Sequence, residues 1–76
     1  MKEFMKYINY LAKKDVSVIF DGLGLLEIHL NGIIATVGKT ATIIEVPTVS
    51  NSEDIVTINY YSEELRELMF KNEEEG

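Results

Sequence analysis

The chain has no cysteine, which excludes disulfides and thiolate metal centres. It has one histidine, His29, too few for an imidazole-based metal site. No apolar run approaches the roughly 20 residues that a membrane span needs. The start, Met1-Lys2-Glu3-Phe4-Met5-Lys6, lacks the apolar core of a signal peptide. Basic residues are also scarce, 7 Lys and Arg against 13 Asp and Glu, for a formal charge of −6. Direct nucleic-acid binding needs a basic face to neutralise phosphates, so it is disfavoured. These absences predict a soluble, intracellular and most simply cytoplasmic protein, without cofactor or metal.

What is present suffices for one small domain. The chain has 76 residues, one domain's worth. Its hydrophobic content of 46% allows collapse. A domain this short is marginal alone, which leaves a tight monomer or an oligomer. The charge is uneven. Lys2, Lys6, Lys13 and Lys14 outweigh Glu3 at the start, while residues 53–76 carry eight carboxylates against Arg66 and Lys71.

Residues 2–14 read as a helix, with Phe4, Ile8, Leu11 and Ala12 at helical spacing and Lys13-Lys14 in its last turn. Val16–Phe20 reads as a strand with Val16, Val18 and Phe20 on one face. Asp21-Gly22-Leu23-Gly24 reads as a turn, with a bulge that Gly24 accommodates. Asn31-Gly32 between two apolar runs predicts a type I′ hairpin. Its register places Leu30 opposite Ile33, Ile28 opposite Ala35 and Leu26 opposite Val37, all on one face. A second two-residue turn at Gly38-Lys39 would pair Val37 with Thr40, Ala35 with Thr42 and Ile33 with Ile44. Pro47 ends that strand or marks an edge. Ile55–Asn59 reads as a short strand or an approach to a helix. Ser62 reads as the N-cap of a helix over 63–71, with Leu65, Leu68 and Met69 as its stripe. Residues 72–76 read as a frayed acidic tail. The fold class is α+β: an N-terminal helix, an antiparallel meander of three to five strands, and a C-terminal helix packed on the sheet.

Catalytic and metal signals are weak. Gly22 and Gly24 do not continue into a phosphate-binding fingerprint. Gly38-Lys39-Thr40 lacks the earlier glycine of a P-loop and falls between strands. Glu27 and His29 share a strand face as a conceivable acid/base couple, but a solvated cross-strand polar patch is the favoured reading. Glu53-Asp54 and Glu73–Glu75 lack calcium-loop spacing. The expectation is a protein without enzymatic activity.

Two surfaces suit a protein partner. The sheet face away from the core carries Ser17, Ile19, Leu25, Glu27, His29, Ile34, Thr36, Ala41, Ile43 and Glu45. If both helices cover the other face, Ile19, Leu25, Ile34 and Ile43 form an open apolar patch suited to homodimerisation. The acidic C-terminal region offers Glu53, Asp54, Tyr60, Tyr61, Glu63, Glu64 and Glu67 to a basic surface.

Lys13-Lys14-Asp15 closing a lysine-bearing helix, the Asn31-Gly32 hairpin and the acidic C-terminal helix together resemble the small acidic phage-encoded inhibitors, anti-CRISPR proteins among them. The resemblance covers the order of elements over most of the chain. It implies that carboxylates block the basic nucleic-acid-binding site of a host protein. The acid here is mostly C-terminal and the sheet region apolar.

Overall fold

The computed structural model describes residues 2–20 and 25–75, with backbone alone at residues 2 and 71–75. Helix α1 (Lys2–Lys13) is followed by β1 (Ser17–Phe20), β2 (Leu26–Leu30), β3 (Ile33–Val37) and β4 (Thr42–Glu45), and then by α2 (Ser52–Glu75). The four strands form one antiparallel sheet in the order β1-β2-β3-β4. The expected turn and bulge at 21–24 lie outside the described residues.

Helix α1 stops because Asp15 turns left-handed, with φ 62°. Its N–H donates to the carbonyl of Ala12 at 3.2 Å, and the N–H of Val16 donates to that of Leu11 at 3.0 Å. This is the Schellman pattern, and aspartate tolerates the left-handed position better than most residues. Leu11 and Val16 are both buried, the apolar contact that accompanies such an ending.

The β2–β3 hairpin follows the sequence expectation. Asn31 and Gly32 have φ of 49° and 86°, as a type I′ turn requires. Leu26 pairs with Val37, Ile28 with Ala35 and Leu30 with Ile33, and all six side chains are buried. The next hairpin departs from expectation. Val37 pairs with Thr42 and Ala35 with Ile44, so the loop spans 38–41 and the N–H of Gly38 donates to the carbonyl of Ala41 at 2.9 Å. Gly38-Lys39 lacks the pair of turn-forming residues that a two-residue loop wants. The slip is by two positions, so every side chain keeps its expected face.

Residues 55–59 are helical, which corrects the strand reading, and the helix starts near 52 rather than at Ser62. Its cap is Asn51, whose Oδ1 accepts the N–H of Glu53 at 2.9 Å and whose carbonyl accepts that of Asp54 at 3.0 Å. Ser62 is fully buried, and its hydroxyl donates to the carbonyl of Ile58 at 2.8 Å. The β-branched residues disfavour helix individually. Ile55, Ile58 and Leu65, however, line up with fully buried Ser62 on the face that meets the core, and burial of that face outweighs propensity. At 24 residues, α2 is about 36 Å long and overhangs strands of four or five residues.

Both helices lie on the same side of the sheet. Phe4 and Leu11 of α1 share one cluster with Ile58 and Leu65 of α2 and the inward residues of β2 and β3. Helix α1 covers β1, α2 crosses β2, β3 and β4, and the helices touch side by side. Among the described residues, no helix lies over the opposite sheet face.

Candidate interaction surfaces

The long helix sorts the acidic candidates by angle. At about 100° per residue, positions 53, 56, 60, 63 and 67 fall on the side opposite the buried stripe. Glu53, Glu63 and Glu67 are exposed, with Val56 at 70% and Tyr60 at 59% exposure between them. The row from 53 to 67 runs about 21 Å along the helix. Val56 was not among the residues expected there, because the stripe becomes visible only once 55–59 is read as helix.

The other candidates are engaged elsewhere. Asp54 accepts a hydrogen bond from the Asn31 side chain at 3.0 Å, which ties the start of α2 to the β2–β3 turn. Glu63 also pairs with Arg66 at 2.7 Å. Arg66 is a clamp that composition did not reveal. Its Nε donates to the carbonyl of Gly38 at 3.0 Å and its Nη2 to the hydroxyl of Thr42, so α2 is fastened to the β3–β4 loop.

Tyr61 and Glu64 turn towards α1. Three of the chain's four tyrosines, Tyr7, Tyr10 and Tyr61, meet at the seam between the helices. Tyr7 stacks on Tyr10 with centroids 5.7 Å apart, and Tyr61 stands edge-on to both at 6.3 and 6.4 Å. Tyr60 contacts Tyr61 at 6.1 Å, and the Lys14 ammonium lies 5.5 Å from the Tyr10 ring centre. The Tyr7 hydroxyl is buried without a hydrogen-bond partner. Burial first, then the charge of Glu64, holds Tyr7 protonated well above the ordinary tyrosine range. The Glu64 carboxylate raises Tyr60 by charge and hydrogen bond. Burial and Tyr10 raise Tyr61. The spacing of Tyr7 and Tyr10 was the available signal, since i and i+3 share a helix side.

On the helix-free sheet face the cross-strand rows are Ile19–Glu27–Thr36–Ile43 and Ser17–His29–Ile34–Glu45. Ile19 is 46% and Ile43 67% exposed, and Ile34 and Leu25 are half-buried. Ile34 and Ile43 are diagonal neighbours, whereas Ile19 is cut off from them by Glu27 and His29. Those two pair at 3.0 Å, each about one-third exposed. The apolar residues therefore form a mixed surface with a polar centre rather than one continuous patch.

Among the described residues, no group of three or more His, Asp or Glu side chains is placed to hold a metal ion. No described helix is long and apolar enough to cross a membrane. Comparison with protein-family models, with curated proteins and with solved structures gives no match.

Proposed function

We propose that the chain is a non-catalytic protein-interaction module that presents the outward stripe of α2 to a basic surface, such as the nucleic-acid-binding site of a partner protein. The observation that carries this reading is the geometry of the stripe. Glu53, Glu63 and Glu67 recur along one solvent-facing side of a single helix, with exposed Val56 and Tyr60 between them. Carboxylates supply steering and register, and the tyrosine supplies contact area. The resemblance to small acidic phage-encoded inhibitors points the same way. The open position of Glu27 and His29, on a strand face rather than in a cleft, favours a solvated pair over an acid/base couple.

The test is capture of a partner from lysate of the native host, using the wild type, the triple variant Glu53→Lys, Glu63→Lys, Glu67→Lys, and Ile43→Asp. The wild type and Ile43→Asp retain the partner at low salt and release it as ionic strength rises, and the triple variant does not retain it. Undiminished capture by the triple variant rejects the reading.

A second reading has its own support. Ile19 and Ile43 are exposed on a sheet face that no described helix covers, which suits self-association of a small domain. Sedimentation as a dimer that Ile43→Asp dissociates is its expected signature. A monomer at high concentration removes it.

A further inference from the structure

The tip of the β2–β3 hairpin carries a reactive pair that neither reading above uses. The chain has five asparagines, Asn9, Asn31, Asn51, Asn59 and Asn72, and only Asn31 is followed by glycine. A side-chain amide is open to attack by the main-chain nitrogen of the next residue, because the product is a five-membered ring. A side chain on that next residue crowds the attack, and glycine has none. Asn31 and Gly32 are both exposed. The last bonded pair of the ladder is Leu30–Ile33, so the Gly32 nitrogen lies beyond it, in the turn.

One contact from outside the hairpin holds this pair in check. The Asn31 amide donates to the Asp54 carboxylate at 3.0 Å, across 23 residues of sequence. The left-handed φ of 49° at Asn31 and 86° at Gly32 belong to the type I′ turn. Ring closure requires the chain to rotate out of that turn. The hydrogen bond opposes the rotation, because it ties the Asn31 side chain to the first turn of α2. The tie is exposed, so it has only the strength of an ordinary surface hydrogen bond.

We propose that Asn31 is a site of spontaneous deamidation for which Asp54 is the brake. When the turn opens, the Gly32 nitrogen gives up its proton and bonds to Cγ of Asn31. The Cγ–Nδ2 bond breaks, and the nitrogen leaves as ammonia. Water then opens the cyclic imide at either carbonyl, giving aspartate or isoaspartate. The net change is one water consumed and one ammonia released, with no oxidant or cofactor. Neither product restores the tie. Aspartate puts a second carboxylate where the donor stood, facing Asp54, and the two repel. Isoaspartate adds a carbon to the main chain of a loop whose length fixes the register. The amino end of α2 attracts carboxylates, but Glu53 and Asp54 already occupy its first turn. The reaction is therefore an irreversible latch that frees the start of α2 from the hairpin.

The test ages the full chain, wild type and Asp54→Ala, at mildly alkaline pH, folded and in denaturing urea. Mass spectrometry of the peptide spanning Asn31 and Gly32 reads the product. Folded wild type should react at Asn31 ahead of the other four asparagines, and more slowly than the unfolded chain. Folded Asp54→Ala should react about 3–10-fold faster than folded wild type, as loss of one hydrogen bond implies. In urea the two should react equally fast. Amide NMR of the aged wild type should show shifts at the turn and at residues 52–55. Asn31→Asp should reproduce the shifts of the aspartate product, and Asp54→Asn should rescue it, because donor and acceptor then exchange places. Asn31 inert in both folded proteins over several lifetimes of the unfolded chain, or product led by another asparagine, would overturn the site. Equal folded rates in wild type and Asp54→Ala would overturn the brake.

Discussion

Two alanine substitutions separate the observed start of α2 from the alternative start at Ser62. In Asn51→Ala the helix loses an acceptor that the Glu53 N–H reaches at 2.9 Å. Loss of such a cap costs about 1 kcal/mol, which lowers the melting temperature of a domain this size by about 4–8 °C. Ser62→Ala has a different effect. The hydroxyl is fully buried and donates back to the Ile58 carbonyl, which keeps its ordinary helical partner once the hydroxyl is gone. Removing both donor and acceptor leaves no orphan. Back-bonding of this kind slightly destabilises helices, and alanine is the better helix former by up to about 0.5 kcal/mol. Ser62→Ala should therefore be neutral or stabilising by up to about 0.5 kcal/mol. Thermal and urea unfolding followed by circular dichroism read both variants. A loss of about 1 kcal/mol in Ser62→Ala, with Asn51→Ala silent, would refute the reasoning.

Tyr7→Phe removes a buried hydroxyl with no partner and should stabilise the fold by about 1 kcal/mol, read as a higher urea midpoint. Tyr7 binds its proton more tightly folded than unfolded. The contribution of Tyr7 to stability is therefore constant below about pH 10 and falls as pH rises beyond the unfolded value. Tyr60 and Tyr61 shift in the same direction, so Tyr7→Phe should flatten the alkaline loss without abolishing it in urea melts at about pH 9 and about pH 11. Arg66→Met keeps the apolar stem but removes the donors to Gly38 and Thr42. The expected loss is about 2 kcal/mol, almost none of it from the exposed Glu63 pair, with an unchanged denaturant slope.

The central hairpin was legible because Asn31-Gly32 fixes a turn type and the two-residue period then assigns every face. The β3–β4 register was not, since Gly38-Lys39 does not specify a loop length. The faces survived because a slip of two preserves parity, so Ile43 was correctly placed on the open side. Helix α2 was read too short for a physical reason. Ile55, Val56, Thr57 and Ile58 favour strand locally, and only the sheet beneath Ile55 and Ile58 tips the balance to helix. That misreading hid the outward stripe, because Glu53 and Val56 join Tyr60, Glu63 and Glu67 only when the helix is continuous. Arg66 looked like one cation among carboxylates, since its acceptors are a carbonyl and a hydroxyl 28 and 24 residues away in sequence. The convergence of the tyrosines needed two helices side by side on one sheet face, a tertiary fact that neither helix encodes alone.

The one-sided architecture places every surface discussed above, and isoleucine methyls report it directly. In dilute protein with a soluble paramagnetic probe, the methyls of Ile19 and Ile43 should relax strongly and Ile34 less. Those of Ile28, Ile33 and Ile58, fully buried, should be protected. Relaxation of Ile28 and Ile33 as fast as that of Ile19 and Ile43 would contradict a sheet with both helices on one side.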